Sequence, residues 1–411
     1  MARQSRGEVF SPDEIAIVHV MNRVVRRCFL MGYDALTGKN YDHRKQWIED
    51  QFQRMAAFFA IDLLCFAVMS NHFHQVLRSR PDIAATWTKR EVAERWLQVC
   101  PKRKRKDGTA CEPNNAEIRA IVTNEILVKE YRRRLSDISW WMRLVCQRIA
   151  QRCNAEDEMK GKFWESRFKA VRLLDEEAVL ACAAYVDLNP IRAAMAEDLV
   201  HSDHTSIQRR LQDLLAEPDA QSAPAAEFIS VTNDLQASEQ GHAGDASADS
   251  GVLAASDVAV AVEASPAVVP AVAAAVTTAT PKPRLRASGF LAPLEIKEKT
   301  DPLGPQPSSS GQRASDKGFL NMSTETYAEL LNWTVRRMEA ERSGQVLEER
   351  PAVLEQLSLS PDVWYQMVTK FGQLFSLVAG RPQRVDSERG RQRGQRFYLP
   401  KATRELLSTS A

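Results

Sequence analysis

His72 and His74 stand two residues apart in VMSNHFHQVLR (68–78), with Phe73 between them and apolar residues on both sides. In a β-strand, side chains at i and i+2 leave the same face. The two imidazoles would then lie one side-chain width apart while Phe73 turns into the core. Paired neutral imidazoles suit a divalent cation. They suit equally well two edge histidines with unrelated hydrogen bonds, and HxH alone favours that plainer assignment because the pattern is short. A metal site needs a third ligand and a reacting group. Both types occur in ACAAYVDLNPIRAAM (181–195). Tyr185 and Asn189 are spaced i, i+4 and share a face if one helix runs through both. Asn189 can offer a carbonyl oxygen to a hard cation, and Tyr185 a hydroxyl to an electrophile. The alternative makes Tyr185 a half-buried helix residue and Asn189 a cap, since Pro190 disfavours helical geometry at the residue before it.

The elements that must position these residues follow from periodicity. Ile15–Val24 reads as a strand, Arg44–Ala60 as an amphipathic helix, and Leu63–Met69 with His74–Arg78 as two strands joined by a turn at Ser70 and Asn71. Residues 82–135 form a polar insertion with helical pieces and the basic run KRKRK (102–106). Asp137–Cys153 is a helix, Phe163–Leu174 is extended, and Glu176–Leu188 is a helix. The order β-α-β-β-α-β predicts an α+β fold of ferredoxin-like type. Two further helices are predicted over Thr324–Arg342 and Pro361–Ala379, and a basic tail follows.

Charge divides the chain. Residues 1–210 carry 35 Lys and Arg against 28 Asp and Glu, residues 211–281 carry no basic and ten acidic residues, and residues 282–411 return to 20 against 15. Two mildly basic regions suit a polyanion partner, though weakly. The stretch from about 216 to 315 is rich in Ala, Val, Ser and Pro and poor in aromatics, so it reads as a flexible linker. The domain plan is a folded region over 10–215, this linker, and a helical region with a basic tail over 316–411. The seven cysteines are scattered singly, which points to reduced thiols in a cytoplasmic protein. No apolar run approaches the roughly 18 residues of a membrane helix.

The segments VHVMNRVVRRCFL, AVMSNHFHQVLR, GKFWESRFKAVRLLDEEAVLACAAYVDLNPIRAAM and HTSIQRRL, in this order, closely resemble the single-tyrosine HUH transposases, and among them the REP-associated tyrosine transposase group. TYAELLNWTVRRM and WYQMVTKFGQLFSLVAG look like the accessory region of larger members. The resemblance implies an antiparallel sheet with helices on one face. It also implies a divalent cation, Mg²⁺ or Mn²⁺, held by His72, His74 and Asn189. Tyr185 would attack single-stranded or hairpin DNA to form a 5′-phosphotyrosyl intermediate, whose retained bond energy lets the strand be rejoined without ATP. With one nucleophile per chain, strand transfer requires a homodimer or a reset between steps. Asn22, Arg23, Arg26 and Arg27 fall where phosphate contacts are expected. Trp164 and Arg167 would stack on or pin a base, although Trp164 fits a core position as well. Three rival readings are a protein that grips hairpin DNA without cutting it, a replication or relaxase-type nickase, and a structural metal-binding domain.

Overall fold

The computed structural model describes residues 9–25, 28–35, 37–106, 110–216, 286–297, 304–345, 350–392 and 397–408. Most of the predicted linker, 217–285, lies outside them, as do Arg26 and Arg27.

Strand β1 spans Ile17–Arg23, and Tyr33–Asp34 with Lys39–Asn40 (β2, β3) form a small hairpin. The main sheet adds β4 (Ile61–Val68), β5 (His72–Ser79), β6 (Lys169–Leu173) and β7 (Val378–Ala379), in the order β4-β5-β1-β6-β7. β4, β5, β1 and β6 pair antiparallel, and β7 joins β6 in parallel, so the sheet is mixed. Every residue of β4 (IDLLCFAV) is buried. A strand apolar on both faces must be covered on both.

The two coverings come from different parts of the chain. On one face, Leu63, Phe66 and Val68 of β4 and Phe73 and Leu77 of β5 pack with Ile48 and Phe52 of α1 (His43–Phe58) and Trp141 of α6 (Ile138–Glu156). The polar insertion adds α2 (Pro81–Thr86), α3 (Lys89–Val99), α4 (Asn115–Val122) and α5 (Glu125–Leu135) on this side. Its helices start where the sequence places side-chain caps: Thr88 with Glu91, and Asn114 with Glu117, form reciprocal capping boxes. On the other face, Leu64, Cys65, Ala67 and Val76 meet α7 (Glu176–Asp187) and α9 (Ser206–Ala216). The expectation of helices on one face is corrected, because the second apolar face of β4 demands its own cover.

The linker boundary is corrected too. Phe290, Leu291, Ala292 and Leu294 are buried, and the Ala292 amide donates to the Leu63 carbonyl at 3.0 Å. The Ser315 hydroxyl and amide both donate to Asp62, at 2.8 and 3.1 Å. Asp62 is fully buried in β4, and Arg78 and Arg80 pair with it as well, so two guanidiniums offset its charge while Ser315 supplies further donors. The run GFLAPL is apolar enough to pack although the composition around it is not.

The C-terminal helices belong to the same core rather than to a separate body. α10 (Thr324–Ser343), α11 (Ala352–Gln356), α12 (Pro361–Thr369) and α13 (Phe371–Leu374) place Tyr327, Leu331, Trp364 and Phe371 against the apolar side of α7. The helix predicted over Pro361–Ala379 breaks at Lys370 and ends in β7. Asp187, fully buried at the end of α7, ties the pieces together: it accepts hydrogen bonds from Ser206 Oγ (2.5 Å), the Ile207 amide (3.0 Å) and the Tyr327 hydroxyl (2.8 Å).

Candidate active site

The β4–β5 hairpin turns at Ser70 and Asn71, closed by the Met69 amide donating to the His72 carbonyl at 2.8 Å. His72 therefore opens β5, and antiparallel pairing with β1 sets Arg23 opposite His72, Met21 opposite His74 and His19 opposite Val76. Opposed residues share a face. His72, His74, His19 and Arg23 consequently lie together on the α7 side of the sheet, while Phe73 turns to the other side and is fully buried.

The ring geometry is that of a compact cluster. The centroids of His72 and His74 are 4.9 Å apart, and those of His74 and Tyr185 are 5.4 Å apart with the rings perpendicular. His19 stacks on His74 at 5.1 Å, and its Nε2 lies 2.9 Å from His74 Nδ1. His72 Nδ1 lies 2.6 Å from the Asn71 amide oxygen. Because that oxygen only accepts, the proton of His72 sits on Nδ1 and Nε2 keeps its lone pair. His74 is 2% exposed, and its Nε2 has no hydrogen-bond partner among the described residues. An orphaned nitrogen at that depth carries a cost unless something binds it.

Electrostatics keep the imidazoles neutral. Burial pushes His19 down to about 4; burial, then the Arg23 charge, does the same to His72; and burial with the neighbouring histidines and arginines takes His74 well below its ordinary value. Neutral rings with Nδ1 engaged and Nε2 open have the disposition of metal-binding histidines. No group of three or more His, Cys, Asp or Glu side chains suited to a metal occurs among the described residues.

Tyr185 is half-buried on α7, and helix α8 (Asn189–Arg192) follows at once, with Pro190 in its first turn, where a missing N–H is tolerated. The helical hydrogen bonds run on through the junction, the Leu188 amide donating to the Ala184 carbonyl at 2.9 Å and the Arg192 amide to the Leu188 carbonyl at 3.0 Å, and Asn189 interacts with the Tyr185 hydroxyl. Arg192 lies over the Tyr185 ring, its guanidinium carbon 4.9 Å from the centroid, and donates to the Thr369 carbonyl. Burial raises the phenol above its ordinary value, and Arg192 and Asn189 act against that rise. Phe371 of α13 also stacks on Tyr185 at 5.4 Å, and Gly372 borders the hydroxyl, from which an added Cβ would stand 3.7 Å away in ordinary contact.

Of the other predicted contacts, Arg23 lies beside the histidines, and Arg167 is exposed. Asn22 is corrected. It points to the opposite face, is buried, donates to Cys146 Sγ at 3.2 Å and accepts from the Arg23 amide. Trp164 is also corrected, in favour of packing: its indole N–H donates to the Cys146 carbonyl at 2.7 Å and its ring meets Phe73 at 5.4 Å. Within the basic run, Arg103 is paired with Glu117. His19 was missed by the sequence reading, although its i, i+2 relation to Met21 and Arg23 put it on the face that matters.

No protein-family model and no curated protein matches this chain. Among solved structures, a REP-associated tyrosine transposase bound to a REP hairpin is similar to it, with 11% sequence identity and a TM-score of 0.31, over 54% of this chain and 93% of that one. None of the site residues above is assigned from that likeness.

Proposed function

We propose that this chain is a single-tyrosine, metal-dependent DNA strand-transfer enzyme that cleaves and rejoins single-stranded, hairpin-containing DNA. The observation that carries the reading is the open, buried Nε2 of His74 in a ring cluster with His72, 5.4 Å from the ring of Tyr185. His72, His74 and Asn189 would hold a divalent cation, and their imidazole nitrogens favour Mn²⁺ over Mg²⁺. When bound, the cation supplies charge stabilisation at the scissile phosphate. Because the three ligands carry no negative charge, none of that charge is spent on the protein.

The remaining work falls to side chains. The Tyr185 oxygen forms a bond to phosphorus as the bond from phosphorus to the 3′-oxygen breaks, giving a 5′-phosphotyrosine and a free 3′-hydroxyl. Arg192 favours the developing phenolate by its charge, and Asn189 orients the hydroxyl. Phe371 holds the ring in place by stacking. A 3′-hydroxyl returning to the same phosphorus reverses the bonds and rejoins the strand.

A denaturing gel of the protein with labelled single-stranded hairpin DNA and Mn²⁺ tests the reading. A protease-sensitive covalent adduct is expected, absent in Tyr185→Phe and in the His72→Ala/His74→Ala double variant. Tight hairpin binding with no adduct on any substrate would instead identify a DNA-binding protein that does not cut.

A further inference from the structure

A cavity of about 240 Å³ lies one guanidinium away from Tyr185, lined by Arg192, Met338, Glu341, Arg342, Tyr365 and Thr369. Its inner wall is Arg192, the residue that covers the Tyr185 ring. Its outer wall is made entirely by α10 and α12, elements remote in sequence from the histidines. Arg342 and Glu341 are exposed at its rim, and Tyr365 is half-buried. The Tyr365 ring already carries one guanidinium, that of Arg337 at 5.2 Å, which is itself paired with Asp362. Two cations, one anion and an aromatic face thus converge on an open space beside the nucleophile. Arginine recognises phosphate by charge and directed donors, and an aromatic face accepts any base by stacking.

We propose that the C-terminal helices build a subsite for one nucleotide of the single-stranded DNA next to the scissile position, with Arg192 and Arg342 taking its phosphate and Tyr365 its base. The inference rests on the strand-transfer reading for its ligand, and it gives α10 and α12 a role in substrate binding. Glu341 interacts with the Tyr365 hydroxyl and stands as an opposing charge at the same rim. It limits affinity, so its removal has the opposite sign to removal of Arg342.

The test measures dissociation constants of a fluorescent single-stranded oligonucleotide against salt, with full-length protein and Mn²⁺. The background is Tyr185→Phe, so that no covalent product forms. Arg342→Gln should weaken binding roughly three- to tenfold and reduce the slope of log affinity against log salt by about 0.7, the value for one phosphate contact on a single strand. Glu341→Gln should tighten binding, roughly two- to fivefold. If both variants bind like their parent while the wild type still forms the adduct, the subsite is overturned and the strand-transfer reading stands. Opposite shifts in the two variants with no adduct from the wild type would uphold the subsite and overturn cleavage.

Discussion

Replacing His19 with Phe asks whether the second imidazole shell sets the first. In the wild type, His74 Nδ1 is 2.9 Å from His19 Nε2. With the proton on His74 Nδ1, the lone pair of Nε2 is left facing the site. Phe preserves the flat ring that stacks on His74 at 5.1 Å and meets Tyr185 at 5.9 Å edge-on, but it has no nitrogen to accept. His74 is too buried for water to take over. The unpartnered N–H then costs about 1–3 kcal/mol, and the proton is free to move to Nε2, where it blocks a metal. Loss of such an outer partner lowers metal affinity by roughly 10- to 100-fold, equivalent to about 1.4–2.7 kcal/mol. Titration with Mn²⁺ followed by its electron paramagnetic resonance signal reads the affinity, and urea unfolding of the metal-free protein reads the stability. Both should fall in His19→Phe, and His19→Gln, whose amide oxygen can accept, should recover part of each. Mn²⁺ affinity in His19→Phe within twofold of wild type would refute the link between the two histidines, and a wild type that binds no Mn²⁺ would remove the metal centre itself.

Asn189→Asp should separate two roles of one position: the added charge strengthens Mn²⁺ binding but raises the phenol of Tyr185 further, so affinity should rise while adduct formation at fixed pH slows. Equal changes in both, in the same direction, would contradict a residue shared between metal and nucleophile. Glu49, 1% exposed, gives a pH-dependent prediction. Burial pushes its carboxyl up, but hydrogen bonds from His204 and Arg209 outweigh this and hold it below the ordinary value. A lowered carboxyl contributes stability that is present in full above its unfolded pKa, near 4.5, and is lost as pH falls through its folded pKa. Glu49→Gln should therefore cost about 2 kcal/mol at pH 7, and that cost should shrink as the pH is lowered below 4.5; a urea midpoint difference that does not change on acidification would sink the assignment. Tyr327→Phe removes one donor from buried Asp187 and should lower stability by about 1.5–3 kcal/mol. Its single unfolding transition should shift as a whole, whereas two separate transitions would show that the C-terminal helices fold apart from α7.

What could be read from the chain and what could not divides along the range of the interactions. Spacing within two or four residues suggests the pairs His72/His74 and Tyr185/Asn189 but leaves each open. Only the resemblance joins the two pairs, which stand about 110 positions apart, and in the structure the rings of His72, His74 and Tyr185 lie together. Asn22 failed for a reason that the same period supplies: it is adjacent to Arg23, so in a strand it must leave the opposite face, and grouping the two as phosphate contacts ignored the alternation. The local period puts His19 on the same face as Arg23, but its meeting with His74 needed the register between β1 and β5, which joins residues 55 positions apart. β7 is more remote still, since Val378 and Ala379 pair with β6 across two hundred residues and SLVAG alone reads equally as helix. The same distance hid the larger point. Thr369, Phe371 and Gly372 touch Arg192 or Tyr185, so the segment that composition sets apart as an accessory region supplies one wall of the candidate site. Removing it would therefore strip Tyr185 of its stacking partner and Arg192 of its carbonyl anchor, as well as exposing the apolar side of α7.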